Sequence, residues 1–240
     1  MLIGLISAKG SPGVTTAALA FAAVLGIDGL LIELDPSGGS LECWTGTTDE
    51  PGLVRTASAL RRTISSESLV YGTAQTPDGV SSILAPTSGL LAESAVAAIG
   101  ERLSIATADL DRTVVLDAGR WARSQTTARR LSGCHAILVV CHPTLAGIEA
   151  ARSITDALNA AVGCPVALLL NGEKPYKDRE VAEATGLPVA GTLPWDSRAV
   201  NDLMLDGPSR GWLRTGLARS ARTALATITT AIHAHEGLTA

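Results

Sequence analysis

Aromatic residues make up only 3% of this 240-residue chain: one Phe, two Tyr and four Trp. A core without large rings must be filled by small and branched aliphatic side chains, which suits helices packed closely on a parallel sheet. Charge is scarce as well, at 18% of residues against a typical ~25%. The net charge is -4, so a strongly basic nucleic-acid binder is not the default class. No apolar run reaches the ~18 residues of a membrane-spanning helix. The first six residues are apolar but lack a basic flank, and Lys9 and Pro12 soon interrupt them, so no signal peptide is expected. Cys43, Cys134, Cys141 and Cys164 form no C-x-x-C pair and no zinc-ligand spacing. Reduced thiols and a cytoplasmic location are the expectation.

What is present is a regular alternation. Residues 2–7, 29–34, 80–84, 113–116, 136–141, 166–170 and 189–193 read as short apolar strands. Residues 15–25, 53–66, 91–103, 145–161, 180–185 and 210–234 read as helices, and 38–48, rich in Gly and Thr, as loop. Most strands are apolar throughout rather than alternating, as expected when both faces of a sheet are covered. The economical reading is one α/β domain over residues 1–240, doubly wound, with a mostly parallel sheet and a C-terminal helix. Asp35, Asp117, His142 and Asn171 fall just past strand ends, the edge where open parallel sheets bind ligands.

Between the first strand and first helix lies Lys9-Gly10-Ser11-Pro12-Gly13-Val14-Thr15-Thr16. Glycines let a backbone fold tightly so that several N–H groups face one anion, and the next helix adds its positive end. A phosphate loop of this kind normally ends in Lys and then Ser or Thr, for the phosphates and Mg²⁺. Here Val14 stands at the lysine position, and Pro12 removes one N–H donor. A lysine about 4 Å from phosphate would contribute up to about 4 kcal/mol at an effective dielectric near ~20, before desolvation.

The segment resembles the deviant phosphate loop of ParA/MinD-type P-loop ATPases, whose early signature lysine matches Lys9. Leu31-Ile32-Glu33-Leu34-Asp35-Pro36 is similar to that family's second-strand acidic motif. Val114-Val115-Leu116-Asp117-Ala118-Gly119 is similar to its Walker B and switch II segment. Gly191-Thr192-Leu193-Pro194-Trp195-Asp196 is similar to its late turn near the base. The ordered matches cover about residues 2–200 and imply a P-loop NTPase fold with ATP and Mg²⁺ as ligands. The resemblance gives catalytic roles to Lys9, across a nucleotide-bridged homodimer, and to Glu33, which would place the attacking water. It gives nucleotide contacts to Gly10, Ser11, Gly13, Val14, Thr15, Thr16, Asn171 (reading adenine) and Pro194, and the metal to Thr15, Asp35 and Asp117.

From the residues alone, Glu33 and Asp35 also read as a strand-end pair satisfied by neighbouring N–H groups, and Asp117 as a cap on the next turn. The resemblance implies a nucleotide-dependent dimerising switch that positions or regulates a protein cargo, with weak or altered hydrolysis. The alternative is a scaffold that keeps the fold and its partner surface without a nucleotide cycle, motivated by Val14, Ala8 and Pro12. The C-terminal helix, with Arg210, Arg214, Arg219 and Arg222 beside its apolar stripe, reads first as a closing helix on the sheet. A membrane surface or a DNA face ranks behind.

Overall fold

The computed structural model describes residues 1–10, 12–75, 79–122 and 129–239. Eight strands form one sheet: β1 (Leu2–Ser7), β2 (Gly29–Glu33), β3 (Ala74–Gln75), β4 (Ser81–Ile83), β5 (Thr113–Arg120), β6 (Ala136–Cys141), β7 (Val166–Asn171) and β8 (Val189–Leu193). Their order is β3-β4-β2-β5-β1-β6-β7-β8. Every pairing from β4 to β8 is parallel, and β3 adds a two-residue antiparallel edge. The chain builds outward in one direction, returns through β5, and then builds in the other. The reversal falls at β1, which has β5 and β6 as neighbours, so the loops after β1 and β5 meet at the switch point.

Successive strand residues feed opposite faces, which explains the uninterrupted apolar runs. Ile3, Leu5, Leu31, Val115, Leu138 and Leu169 join one core, with α1 (Val14–Leu25), α2 (Leu41–Thr45), α9 (Ser197–Asp206) and α10 (Gly216–Thr239) over it. Ile6, Leu30, Ile32, Leu116, Val139 and Leu170 join the other. That face carries α3 (Gly52–Arg62), α4 (Ser66–Gly72), α5 (Gly89–Ile99), α6 (Arg102–Ala108), α7 (Leu145–Ala161) and α8 (Asp178–Thr185). Helix α1 is buried from Ala17 to Ala23. It lies between the sheet and α10, and its alanines allow that close approach on either side of the fully buried Phe21.

Several elements depart from the sequence expectation. The loop at 38–48 contains α2. The helix expected over 53–66 is two, because Thr63 is extended before α4 begins. The helix expected over 91–103 divides at Gly100, whose φ of 40° ends α5. Strand β5 does not stop at Leu116 but runs on to Arg120. Helix α9 was unanticipated, although Asp196 caps it by accepting from the Ala199 N–H at 2.9 Å.

The C-terminal segment splits into a short 3₁₀ turn, Trp212–Arg214, and α10. Leu217, Ala221, Ala224, Leu225, Ile228 and Ile232 of α10 are buried in the α1-side core. Arg222 donates to the Leu213 carbonyl at 2.9 Å, and Arg219 to that of Arg214. These arginines cap the preceding turn, which is the closing-helix arrangement. Among the described residues no helix is long and apolar enough to cross a membrane.

Candidate functional site

A cavity of about 500 Å³ opens at the C-terminal edge of the sheet, over the switch point. That volume is within the ordinary range for small-molecule sites. Its floor is the start of α1. Gly13, at φ 91° and ψ 35°, is the N-cap of α1 and offers no side-chain bond to the first turn. The Ala17 N–H is taken by the Gly13 carbonyl at 2.9 Å. The N–H groups of Val14, Thr15 and Thr16 have no intrahelical acceptor and stand at the positive end of the helix. All three residues line the cavity.

Gly13 is held from the far side. Asn171, at the end of β7, donates through Nδ2 to the Pro12 carbonyl at 2.7 Å. A Cβ on Gly13 would lie 2.5 Å from that same Nδ2. Gly13→Ala therefore meets both a left-handed backbone and a clash with the clamp. The expected loss is about 2 kcal/mol of stability, with the loop displaced. A thermal melt beside an ATP titration of the same variant checks it.

Two carboxylates face the loop. Asp35 follows β2, lines the cavity, and accepts the Ser37 N–H at 2.8 Å. Asp117 on β5 is buried, accepts from the Gly119 N–H at 3.2 Å, and shares a hydrogen bond with the Thr15 side chain. Burial pushes the Asp117 carboxyl up to about 7; Glu33 and Asp35 push the same way, while Thr15 and Gly119 oppose. A carboxylate so desolvated, beside a second one and a hydroxyl, is a place that favours a cation. Oxygen donors of this kind suit a hard divalent ion such as Mg²⁺, which takes one or two carboxylates and completes its shell from water and phosphate. Among the described residues no cluster of three or more acidic, His or Cys ligands could hold a metal alone.

Gly10, Gly13, Val14, Thr15, Thr16, Asp35, Asp117, Asn171 and Pro194 all line this one cavity. Ser11 lies outside the described residues. Lys9 is exposed and does not line the cavity. Val14 is 7% exposed and packed in the α1-side core, so its side chain brings no charge.

Glu33, to which the resemblance gives the placing of a water, is engaged by backbone instead of opening on the cavity. It is 2% exposed and does not line the cavity. Its Oε1 accepts from Ser40 and Leu41 N–H at 2.9 and 3.1 Å, and its Oε2 from Ala85 N–H at 3.0 Å. The carboxylate is a clamp for the start of α2. Burial raises its pKa, and the three backbone donors oppose the rise.

Further residues line the cavity, of which Ser40, Val200 and Asn201 carried no mark in the sequence reading. Ser40 and Trp44 reach the cavity through α2, and Val200 and Asn201 through α9. Trp195, 74% exposed, also lines it, 5.9 Å from the His142 ring at a tilt of 48°. The His142 Nδ1 lies 2.9 Å from the Asn171 carbonyl. Arg120 enters from the end of β5.

No protein-family model and no curated protein matches the chain. Solved structures do. A ParA family ATPase from Chlorobium tepidum TLS superposes with a TM-score of 0.71 at 21% identity, covering 93% of this chain and 97% of that one. The septum site-determining protein MinD complexed with Mg-ADP, from Pyrococcus horikoshii OT3, gives 0.71 at 16% identity over 95% of each chain. The MinC:MinD cell division protein complex from Aquifex aeolicus gives 0.71 at 13% identity, again over 95% of each.

The fold is that of the ParA and MinD ATPases.

In this chain the cavity lies over the loop that follows β1, with Asp117 on β5 and Asp35 just past the end of β2 on one flank. Asn171 and Pro194 close the site from β7 and β8 on the other.

Proposed function

We propose that this chain binds ATP with Mg²⁺ in the cavity and uses the nucleotide as a dimerising switch that positions or regulates a protein cargo. The observation that carries the reading is convergence. The open N–H groups of Val14–Thr16, the Thr15–Asp117 pair, Asp35 and the Asn171 clamp all meet at one cavity of about 500 Å³. The α1 N-terminus would hold phosphate. Thr15, Asp35 and Asp117 would hold the metal, which would supply charge neutralisation between them and the phosphates. Asn171 keeps Oδ1 to accept a hydrogen bond from a base, and Trp195 offers an exposed ring face near it. The Mg-ADP in the solved MinD and the MinC:MinD complex support the nucleotide and partner parts of this reading by analogy of fold.

The dimer part draws on Lys9. It is exposed and outside its own cavity, which suits a side chain that reaches a second copy. Weak hydrolysis follows from Val14, which brings no charge, and from Glu33, whose oxygens are engaged by backbone. Calorimetric titration with ATP–Mg²⁺, with mass measured by sedimentation, tests both steps. Binding in the micromolar to millimolar range and a doubling of mass that Lys9→Ala removes are the expected results. No heat at millimolar ATP would sink the switch.

Val14 favours a second reading, a scaffold with no nucleotide cycle. Under it the same titration is silent, while the partner surface is unaffected by ATP.

A further inference from the structure

A triphosphate brings several negative charges into a cavity already lined by Asp35, Asp117 and Asp196. The first helical side chain, where a cation would offset them, is Val14. Among the described residues lining the cavity, Arg120 is the only basic one. We infer that Arg120, delivered by the extended end of β5, supplies the phosphate-directed charge that Val14 does not. The inference rests on the nucleotide reading above and deepens it.

The geometry that brings Arg120 there is specific. Strands β1 and β5 pair Leu5 with Asp117 but Ser7 with Arg120, so β5 carries one extra residue in that stretch. This is a bulge, and a bulge re-aims the side chains that follow it. Gly119 sits within it at φ 62°, and a Cβ there would lie 2.1 Å from Asp35 Oδ2. Only glycine lets the strand pass so close to that carboxylate and continue. Ser7 is the last residue of β1, so Arg120 lies at the root of the phosphate loop.

The backbone around Arg120 is fixed on both sides. The Trp121 N–H donates to the Ser7 carbonyl at 2.7 Å. The Arg120 carbonyl accepts from the Arg130 guanidinium at 2.6 Å. Arg130 is itself 3% exposed, with an Nε that finds no acceptor. A buried cation is thus committed to holding the Arg120 main chain, while the Arg120 residue remains exposed at the cavity. A guanidinium fork can grip phosphate oxygens two at a time, which a lysine cannot.

The test compares ATP, ADP and AMP binding by calorimetry in the full chain, for wild type, Arg120→Ala and Arg120→Lys. The bonds that anchor this position use the backbone, so neither variant is expected to change the thermal melt. Arg120→Ala should weaken ATP by about tenfold or more, ADP less, and AMP least. Arg120→Lys should recover part of the loss. The salt dependence of ATP affinity should flatten in Arg120→Ala. Unchanged ATP affinity overturns the inference while the nucleotide reading stands. An equal loss for all three nucleotides also overturns it, since it marks a merely structural role. Absence of any nucleotide binding in wild type overturns the nucleotide reading itself, and this inference with it.

Discussion

Glu33→Ala is expected to lose about 3–5 kcal/mol of stability. The carboxylate is the acceptor for the N–H groups of Ser40, Leu41 and Ala85. Each buried donor left without a partner costs about 1–3 kcal/mol. Partial entry of water would keep the sum below the maximum. Glu33→Gln separates shape from charge. Its amide oxygen can keep two donors, but its NH₂ would face the third, so an intermediate loss is expected. The damage should be local in its first stage. Ser40 and Leu41 begin α2, which carries Trp44 to the cavity, so amide exchange should quicken there before elsewhere. Chemical denaturation checks the magnitude. A wild-type midpoint for Glu33→Ala would remove the clamp, and the water-placing role would return as the better account of this residue.

Raising the pH from about 5 to about 8 without Mg²⁺ or nucleotide is expected to destabilise the protein, and Asp117→Asn to cancel most of the effect. The sign follows from proton counting. Asp117 titrates at 3.8 when free and at about 7 in the fold. Between those values the folded state holds a proton that the unfolded chain has lost. Stability is therefore full below the lower value and falls until the upper one is passed. The part of this shift that lies above pH 5, from about 5 to about 7, corresponds to about 3 kcal/mol, or about 8 °C in Tm for a chain of this length. Glu33, also raised, adds in the same direction. Mg²⁺ bound with a nucleotide should restore much of the loss at about pH 8, because a cation beside Asp117 favours its charged form. Thermal melts of both proteins across the range decide the matter. Parallel profiles would mean that another group carries the pH dependence.

The parts of this molecule that were legible in the sequence are those whose partners are close along the chain or whose burial is two-sided. Strands β1, β6 and β8 were read to the residue because apolar runs between turn residues have few alternatives. The phosphate loop was legible because strand, glycine and helix follow each other directly. Helix α2 was not, since five residues are too few to carry a periodic signal. Its start is anchored by Glu33, which accepts from the Ser40 and Leu41 N–H groups and is itself held by the Ala85 N–H from far along the chain.

Of the two readings open for Glu33, its contacts match the strand-end acid satisfied by neighbouring N–H groups; the Ser40 and Leu41 donors are near in sequence, but the Ala85 donor, 52 residues away, left no signal in the spacing. Arg120 was hidden because the strand was read to end at Leu116, before Asp117, whereas Gly119 lets it pass Asp35 and run on to Arg120. Arg130 had no signal at all. Its importance comes only from lying under a carbonyl ten residues back. The Asp196 cap ahead of α9 was visible, and recognising it would have supplied that helix.

The scarcity of aromatic residues has a practical side. Trp44 and Trp195 stand exposed at the cavity, whereas Trp121 and Trp212 are buried. With one Phe and two Tyr as the only other fluorescent side chains, ultraviolet emission from this chain divides into a wet pair and a dry pair. Iodide or acrylamide reaches the first and spares the second. The dry pair serves as an internal reference, and quenching of the wet pair becomes a label-free gauge of whether the cavity is filled.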